Sequence, residues 1–128
     1  MTGNRILVVE DNERNLKLVR DVLEYAGYDV IAASSGEQGV ALARERMPDL
    51  VLMDLQLPEM DGTEALRRLR DDPLTRAIPV VAVTAFAMKD DRDRAFRAGF
   101  DGYLEKPISV RALPEQVHDF LAGKESTT

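Results

Sequence analysis

The stretch Asp49-Leu50-Val51-Leu52-Met53-Asp54 is an apolar run that ends in a carboxylate. Its length and its almost continuous apolar character are typical of a parallel strand that is buried on both faces. We therefore expect it to be a central strand of a sheet. A charge at the end of such a strand is costly to bury unless a partner lies beside it, so Asp54 indicates a polar site at that end.

Other apolar runs of the chain also end in polar residues. They are Arg5–Glu10, which precedes Asp11, then Pro79–Thr84, and Asp101–Glu105, which precedes Lys106. The carboxyl ends of parallel strands lie at one edge of a sheet, and ligands of open α/β sheets bind there. If the runs form one parallel sheet, carboxylates, a hydroxyl and an ammonium meet at that edge. Such groups are suited to chemistry on a phosphoryl group.

Helical patterns separate these runs, so strands and helices alternate along the chain. Helices are predicted after Asn12 as far as Gly27, from Ser35 to Pro48, from Asp61 to Asp72, over Met88–Ala98 and over Ser109–Leu121, with a further strand over Tyr28–Ala33. Asp29 places that further strand nearer an edge. Five βα units in 128 residues predict an α/β fold with a doubly wound five-stranded parallel sheet and helices on both faces.

Pro114 conflicts with a last helix that begins at Ser109. Ser109 is a natural cap, but the ring of Pro114 would then clash with the carbonyl group of Val110. Two alternatives follow. Either the first turn is distorted, or the helix begins near Pro114.

Composition limits the class of protein. The length fits one domain, which we place over residues 1–122, with a flexible tail over residues 123–128. The net charge of -6 argues against a nucleic-acid surface, and no apolar run approaches the ~20 residues of a membrane helix. The chain has no cysteine and one histidine, which excludes thiolate and multi-histidine metal sites. With no targeting segment visible, we expect a cytoplasmic protein.

Asp54 is the centre of the predicted site, as a carboxylate that accepts a phosphoryl group. A lone aspartate at this position would more often cap a turn, but Glu10 and Asp11 add negative charge at the neighbouring strand end. Like charges ~4 Å apart repel by roughly 4 kcal/mol at an effective dielectric constant of ~20, so the group requires a cation. Mg²⁺ suits such oxygen ligands. We assign Asp11 and Asp54 as direct ligands, Glu10 as a direct or water-mediated ligand, and the backbone carbonyl of Gln56 as a further ligand.

Thr84 and Lys106 are predicted to face the phosphoryl group. A lysine at a strand end is usually solvated, but here the charge balance requires a cation opposite the phosphate. A cis bond between Lys106 and Pro107 would aim the lysine into the site. Thr84 would otherwise be an ordinary strand residue, and its hydroxyl could donate to a phosphoryl oxygen. The small Ala85 leaves room for an incoming phosphodonor.

Taken together, these residues resemble the receiver domain of two-component response regulators. The resemblance covers nearly the whole chain and rests on the following residues in order: Glu10-Asp11, Asp54 followed by Pro58, Met60-Asp61-Gly62, Thr84-Ala85, Tyr103 and Lys106-Pro107. Each motif is weak alone, but all of them at compatible spacing are specific. The stretches Val8–Asn12 and Val81–Met88 are most similar to single-domain members of the family.

The resemblance implies a flavodoxin-like fold with the strand order 2-1-3-4-5. It implies that Asp54 takes a phosphoryl group from a histidine kinase or a histidine phosphotransfer protein, with Mg²⁺ required and Mn²⁺ as a substitute ion. It also implies a switch, in which Thr84 moves to the phosphoryl group and Tyr103 rotates inward behind it. Such a chain is a phosphoacceptor and not an enzyme for outside substrates.

Signalling by a chain without an output domain has to use protein contacts. The expected downstream partner face comprises Ala87–Ala98, Tyr103–Glu105 and Val110–Leu121. The first helix, with Asn15, Leu16 and Val19, is a candidate for docking the phosphodonor protein. No nucleic-acid or membrane partner is expected, and the protein is expected to be a monomer or a weak dimer. The alternative is a receiver module from a hybrid histidine kinase or a larger regulator.

Two other classes of protein fit the sequence poorly. Haloacid-dehalogenase-type phosphatases need a second aspartate two residues after the nucleophile, where this chain has Gln56. Flavin carriers need a glycine in the loop after the first strand so that the backbone can approach a phosphate, and Asn12–Asn15 contains none. An interaction module that is never phosphorylated would not require the whole set of site residues.

Phe86 leads to a prediction about phosphoryl lifetime. It lies two residues after Thr84, and a bulky ring near the mouth of the site should hinder attack by water. We expect a slowly hydrolysing aspartyl phosphate, and we expect Phe86→Glu to shorten its half-life in the purified protein. An unchanged half-life would exclude this role for the ring.

Overall fold

The fold is an alternation of strands and helices. The computed structural model describes residues 4–85 and 89–123, with Lys89 described by its backbone alone. The strands are β1 (Arg5–Val9), β2 (Asp29–Ala33), β3 (Leu50–Asp54), β4 (Val80–Thr84) and β5 (Gly102–Glu105), and the helices are α1 (Glu13–Tyr25), α2 (Gly36–Arg46), α3 (Gly62–Asp71), α4 (Lys89–Ala98) and α5 (Leu113–Leu121). All strand pairs are parallel, in the order β2-β1-β3-β4-β5. The predicted fold class and strand order are confirmed.

Strand composition predicts position in the sheet. Every residue of β3 is buried, and β3 is the middle strand. The strand β2 carries the exposed Asp29 and lies at an edge. Both placements agree with the sequence, because only a central strand has neighbours on both sides as well as helices above and below.

The sheet separates two apolar layers. Alternate residues of a strand point to opposite faces, so Val51 and Met53 pack in one layer while Leu50 and Leu52 pack in the other. The first layer contains residues of α2, α3 and α4, and the second contains residues of α1 and α5. We call these sides of the sheet the α3–α4 face and the α1–α5 face.

Polar side chains begin three of the helices as the sequence predicts. Asn12 accepts from the backbone N–H groups of Arg14 and Asn15 at the start of α1. Ser35 and Asp61 accept in the same way at α2 and α3, and such a cap contributes about 1 kcal/mol to helix stability. Among the described helices, which run from 9 to 13 residues, none is long and apolar enough to cross a membrane.

The strands are each one residue shorter than predicted. The residues left out are Glu10, Tyr28, Asp49, Pro79 and Asp101. Several of them still bond to a neighbouring strand: the Glu10 N–H group donates to the Ala33 carbonyl group at 2.9 Å, and that of Asp49 donates to the Arg5 carbonyl group at 2.8 Å. Each predicted strand therefore extends one residue beyond the regular part of its hydrogen-bonded ladder.

The last helix begins at Leu113 and not at Ser109, which corrects the predicted range. The Ser109 carbonyl group accepts from Leu113 N–H at 2.9 Å, and its hydroxyl accepts from Ala112 N–H at 3.2 Å, so a single turn precedes the helix. Pro114 has no N–H group to donate to the carbonyl group of Val110. A helix that begins near Pro114 is therefore the correct alternative.

Arg70 joins three segments of the chain at the amino edge of the sheet. Its guanidinium group donates to the carbonyl groups of Ile78 at 2.7 Å and Gly99 at 3.1 Å, and to the Asp101 carboxylate at 2.7 Å. The same Asp101 oxygen accepts from Val80 N–H at 2.8 Å. The end of α3, the start of β4 and the turn before β5 are thereby tied to one another.

We predict that Arg70→Ala lowers the free energy of unfolding by about 2–3 kcal/mol, because hydrogen bonds to a charged group stabilise more than neutral ones. Urea unfolding measures the loss. Arg67→Ala is the matched control on the same helix, since within the described part of the chain Arg67 pairs only with Glu64 and Asp71 at the surface, and each such pair contributes less than about 1 kcal/mol. Equal losses in the two variants would contradict the role given to Arg70.

Candidate functional site

A half-buried ammonium group lies between two buried carboxylates at the carboxyl edge of the sheet. Lys106 follows β5, and its Nζ atom is 2.8 Å from Asp54 Oδ2 and 3.2 Å from Glu10 Oε1. Asp54 ends β3 and is 3% exposed, and Glu10 follows β1 and is 6% exposed. The structure thus brings together three polar residues that lie far apart in the sequence. The Lys106–Pro107 peptide bond is cis.

Backbone N–H groups hold the other oxygen of each carboxylate. Gln56 N–H donates to Asp54 Oδ1 at 2.8 Å, and Asn12 N–H donates to Glu10 Oε2 at 3.3 Å. Both donors lie two residues after the acceptor, in the loop that follows the strand. The strands therefore place the carboxylates at the edge, and the loops that follow them orient the carboxylate oxygens.

Asp11 completes an acidic cluster that fits a divalent cation. Glu10, Asp11 and Asp54 each offer one oxygen within 4.8 Å of the others, and Asp11 is exposed to solvent. With Lys106 beside them, three negative charges face one positive charge, which leaves an excess of negative charge. Hard oxygen ligands of this kind suit Mg²⁺. The ligand role of the Gln56 backbone carbonyl stays a prediction.

Burial and hydrogen bonding shift the pKa values of the cluster in different directions. Burial raises the pKa of Glu10, and the neighbouring Asp54 raises it further. Burial also opposes ionisation of Asp54, but its hydrogen bonds with Glu10, Lys106 and Gln56 N–H outweigh that effect and lower its pKa. Burial disfavours the charged form of Lys106, yet the bond to Asp54 and the negative charges raise its pKa. Asp54 and Lys106 therefore stay ionised together.

Thr84 lies on the other face of the sheet from Asp54. Val80 and Ala82 of β4 pack in the α3–α4 layer, and Thr84 continues that alternation. Asp54 continues the alternation of Leu50 and Leu52, which belong to the α1–α5 layer. Thr84 is 1% exposed, and its Oγ1 atom accepts from Gln56 Nε2 at 3.1 Å. The sequence correctly placed Thr84 at this edge but did not predict the bond to Gln56.

Tyr103 also belongs to the α3–α4 layer. It is 4% exposed, so its ring occupies the inward position, and its Cα partner in β4 is Ala82. Burial raises the pKa of its hydroxyl, and the charges of Asp91 and Glu105 act in the same direction. Rotation of the ring stays a prediction. Phe86 and the start of the predicted partner face at residues 87–88 lie outside the described residues, as do residues 124–128 of the predicted tail.

A cavity of about 330 Å³ opens beside Asp54 on the α1–α5 face. Its polar rim includes Glu10, Asp54 and Lys106. The other residues that line the cavity are largely apolar. They lie on β1, α1, β3 and β4, just after β4, and between β5 and the start of α5: Val8, Val9, Asn15, Leu18, Val19, Leu52, Val83, Ala85, Pro107, Ile108 and Leu113. Sequence reasoning missed this cavity. Leu18 is the local signal, because this apolar residue of α1 is 42% exposed and lines the cavity.

Comparison with known proteins connects this site to one family. The model of the response regulator receiver domain matches residues 6–118. The chain is 50% identical over 116 residues to the polar-differentiation response regulator DivK of Brucella ovis, which covers 91% of this chain and 94% of that relative.

Two solved structures show the same architecture. One is a putative response regulator from Chloroflexus aurantiacus, with a TM-score of 0.87 and 32% identity over 94% of this chain and 99% of that one. The other is the receiver domain of the sensor histidine kinase PA1611 of Pseudomonas aeruginosa, with a TM-score of 0.85 and 35% identity over the same shares of the two chains. The PA1611 domain has a magnesium ion coordinated in its active site cleft.

We predict that Lys106→Met lowers the free energy of unfolding by about 3 kcal/mol in metal-free buffer, because it leaves buried carboxylates without their cation. Added Mg²⁺ should stabilise this variant more than the wild type, since the ion restores the missing positive charge. Urea unfolding with and without Mg²⁺ measures both effects. Lys17→Met is the control, because its exposed pair with Asp21 contributes about 0.5 kcal/mol at most. A similar loss in both variants would contradict the prediction.

Proposed function

The chain belongs to the response regulator receiver domain family, and we propose that it accepts a phosphoryl group on Asp54 from a phosphohistidine of a kinase or a phosphotransfer protein. The observation that carries this proposal is the ion cluster at the sheet edge. Asp54 Oδ2 is 2.8 Å from Lys106 Nζ, and Asp54, Glu10 and Asp11 each offer one oxygen within 4.8 Å of the others. A turn-capping aspartate would need neither the paired lysine nor the acidic neighbours.

The residues of the cluster divide the chemistry between them. Asp54 is held in its ionised, nucleophilic form and attacks phosphorus, so that a P–O bond forms while the P–N bond to the donor imidazole breaks and its electron pair stays on that nitrogen. Lys106 is positioned to pair with a phosphoryl oxygen. Glu10, Asp11 and Asp54, with the Gln56 carbonyl group, would hold Mg²⁺ or Mn²⁺. A bound divalent ion would offset the negative charge that the phosphoryl group brings to the site.

The phosphorylated state is proposed to differ from the resting one at Thr84, and through it to act on Tyr103. A phosphoryl group attracts a hydroxyl donor, so Thr84 would move toward Asp54 and stabilise the inward position that the buried ring of Tyr103 already occupies in this structure. The phosphate shifts the population of this conformer only by the additional interactions it makes there. The face formed by α4, β5 and α5 would then present a changed surface to a downstream protein in the cytoplasm.

The phosphodonor is proposed to dock on α1, beside the cavity. Asn15 is exposed at the mouth of the site, and Leu18 gives an apolar contact next to it. Val19, which the sequence suggested as a contact, is 7% exposed and packs into the core and the cavity wall. Leu16, also suggested by the sequence, is half-buried against the same layer. Asn15 is therefore the exposed member of the predicted set, and Leu18 lies near it on the helix. Within this proposal the chain is a phosphoacceptor and not an enzyme for outside substrates.

We predict that acetyl phosphate with Mg²⁺ adds one phosphoryl group to the wild type and none to Asp54→Asn, because the amide lacks the nucleophilic oxygen. Intact mass spectrometry measures the modification. Asp49→Asn is the matched control, since Asp49 precedes the same strand at its opposite end, and it should be modified like the wild type. An unmodified wild type across Mg²⁺ and donor concentrations would overturn the proposed function, as would equal modification of Asp54→Asn.

A further inference from the structure

The phosphoryl acceptor and the hydroxyl proposed to report on it lie on opposite faces of the sheet. Asp54 and Val83 are Cα partners in adjacent strands, and Val83 packs with the α1–α5 layer. Thr84 is the next residue of β4 and points the other way. Its hydroxyl group therefore has to leave the α3–α4 face before it can reach a phosphoryl group on Asp54.

Gln56 connects the two faces. Its backbone N–H group donates to Asp54 Oδ1 at 2.8 Å, on the acceptor side. Its side-chain Nε2 atom donates to Thr84 Oγ1 at 3.1 Å, on the other side. One loop residue thus contacts both groups that have to communicate, through atoms that a substitution can separate. A change of the side chain removes the bond to Thr84 and keeps the backbone bond to Asp54.

The surroundings of Thr84 leave space for this exchange. A second cavity of about 330 Å³ lies on the α3–α4 face between α3 and α4. Its lining includes both Gln56 and Thr84, with Thr63 of α3 and Asp91, Arg94 and Ala95 of α4. The cavity beside Asp54 has neither Gln56 nor Thr84 among its lining residues. A side chain at the edge of an open space can change rotamer without repacking the core.

We propose that the Gln56 side chain is a latch, a positioning group that holds the Thr84 hydroxyl on the α3–α4 face until Asp54 is phosphorylated. The inference rests on the proposed function, because it assigns a resting partner to the hydroxyl that the phosphoryl group is to attract. The latch opposes switching, since the bond to Nε2 stabilises the conformer in which Thr84 is turned away from Asp54. The phosphoryl group has to offset the free energy of this bond before the conformer with Thr84 turned toward Asp54 predominates.

The direction of the effect separates a latch from a structural contact. Loss of a structural contact would weaken binding of a phosphoryl group or leave it unchanged. Loss of a latch would strengthen it, because the resting conformer loses a stabilising bond that the phosphorylated conformer does not have. A typical hydrogen bond contributes about 1 kcal/mol net, which corresponds to about a fivefold change in affinity.

The test measures the affinity of the purified protein for beryllium fluoride, a phosphoryl mimic, in the presence of Mg²⁺. The variants are Gln56→Met, Thr84→Val and the double variant, compared as a double-mutant cycle by titration followed by NMR. We expect Gln56→Met to bind the mimic about fivefold more tightly than the wild type. We expect the same substitution to change the affinity less than twofold when Thr84 is already Val, because that background has no hydroxyl to hold.

Thr84→Ser provides the rescue control. It keeps a hydroxyl group, so Gln56→Met should again increase the affinity in that background. Urea unfolding of every variant identifies loss of folding. Unchanged or weaker binding by a folded Gln56→Met variant would overturn the latch, as would an equal gain in the Thr84→Val background.

Failure of the latch and failure of the proposed function give different results. If the wild type is phosphorylated at Asp54 and binds the mimic, and Gln56→Met binds the mimic with the same affinity, only the latch is wrong. If the wild type neither binds the mimic nor gains a phosphoryl group, the proposed function is wrong and the latch falls with it.

Discussion

Lys106 Nζ stands between the carboxylates of Asp54 and Glu10, and all three groups lie at the end of a sheet whose strands are apolar almost throughout. Buried carboxylates are tolerated only with partners, because removing an ion from water costs several kcal/mol. The fold supplies those partners from strands that are distant in sequence and adjacent in space. The parallel arrangement is what makes this possible, since it gathers the carboxyl ends of β1, β3 and β5 at one edge.

The sheet also separates acceptance of a phosphoryl group from the proposed response to it. Asp54 faces the α1–α5 layer with the cavity and the exposed Leu18, where a donor protein could approach. Thr84 and Tyr103 face the α3–α4 layer. Gln56 contacts groups on both sides at the edge and so links the two faces. The loop after β3 is therefore as important to the proposed switch as the strands.

The sequence predicts features that depend on local pattern. The run that ends at Asp54 indicates a buried central strand, because apolar residues on both faces are typical of the middle of a parallel sheet. Asn12 indicates a helix start because its side chain bonds to its own neighbours. For the start of α5 the sequence left two alternatives. The conflict between a cap at Ser109 and the ring of Pro114 is visible in the sequence, but its outcome depends on the rest of the fold. The cavity and the bond between Gln56 and Thr84 were missed, because rotamers and voids depend on residues brought together by the whole fold.

The excess of negative charge at this edge fits the proposed role of the chain as a phosphoacceptor. Three carboxylates facing one ammonium group leave a site that attracts a divalent cation and resists a second anion without one. A phosphoryl group on Asp54 would add negative charge that Lys106 and a bound cation would offset, and its charge would act on every group within hydrogen-bonding reach. In the proposed switch, the charge of the bound phosphoryl group favours one of two positions of Thr84, either turned away from Asp54 or turned toward it. The Gln56 bond to Thr84 then sets the balance between them.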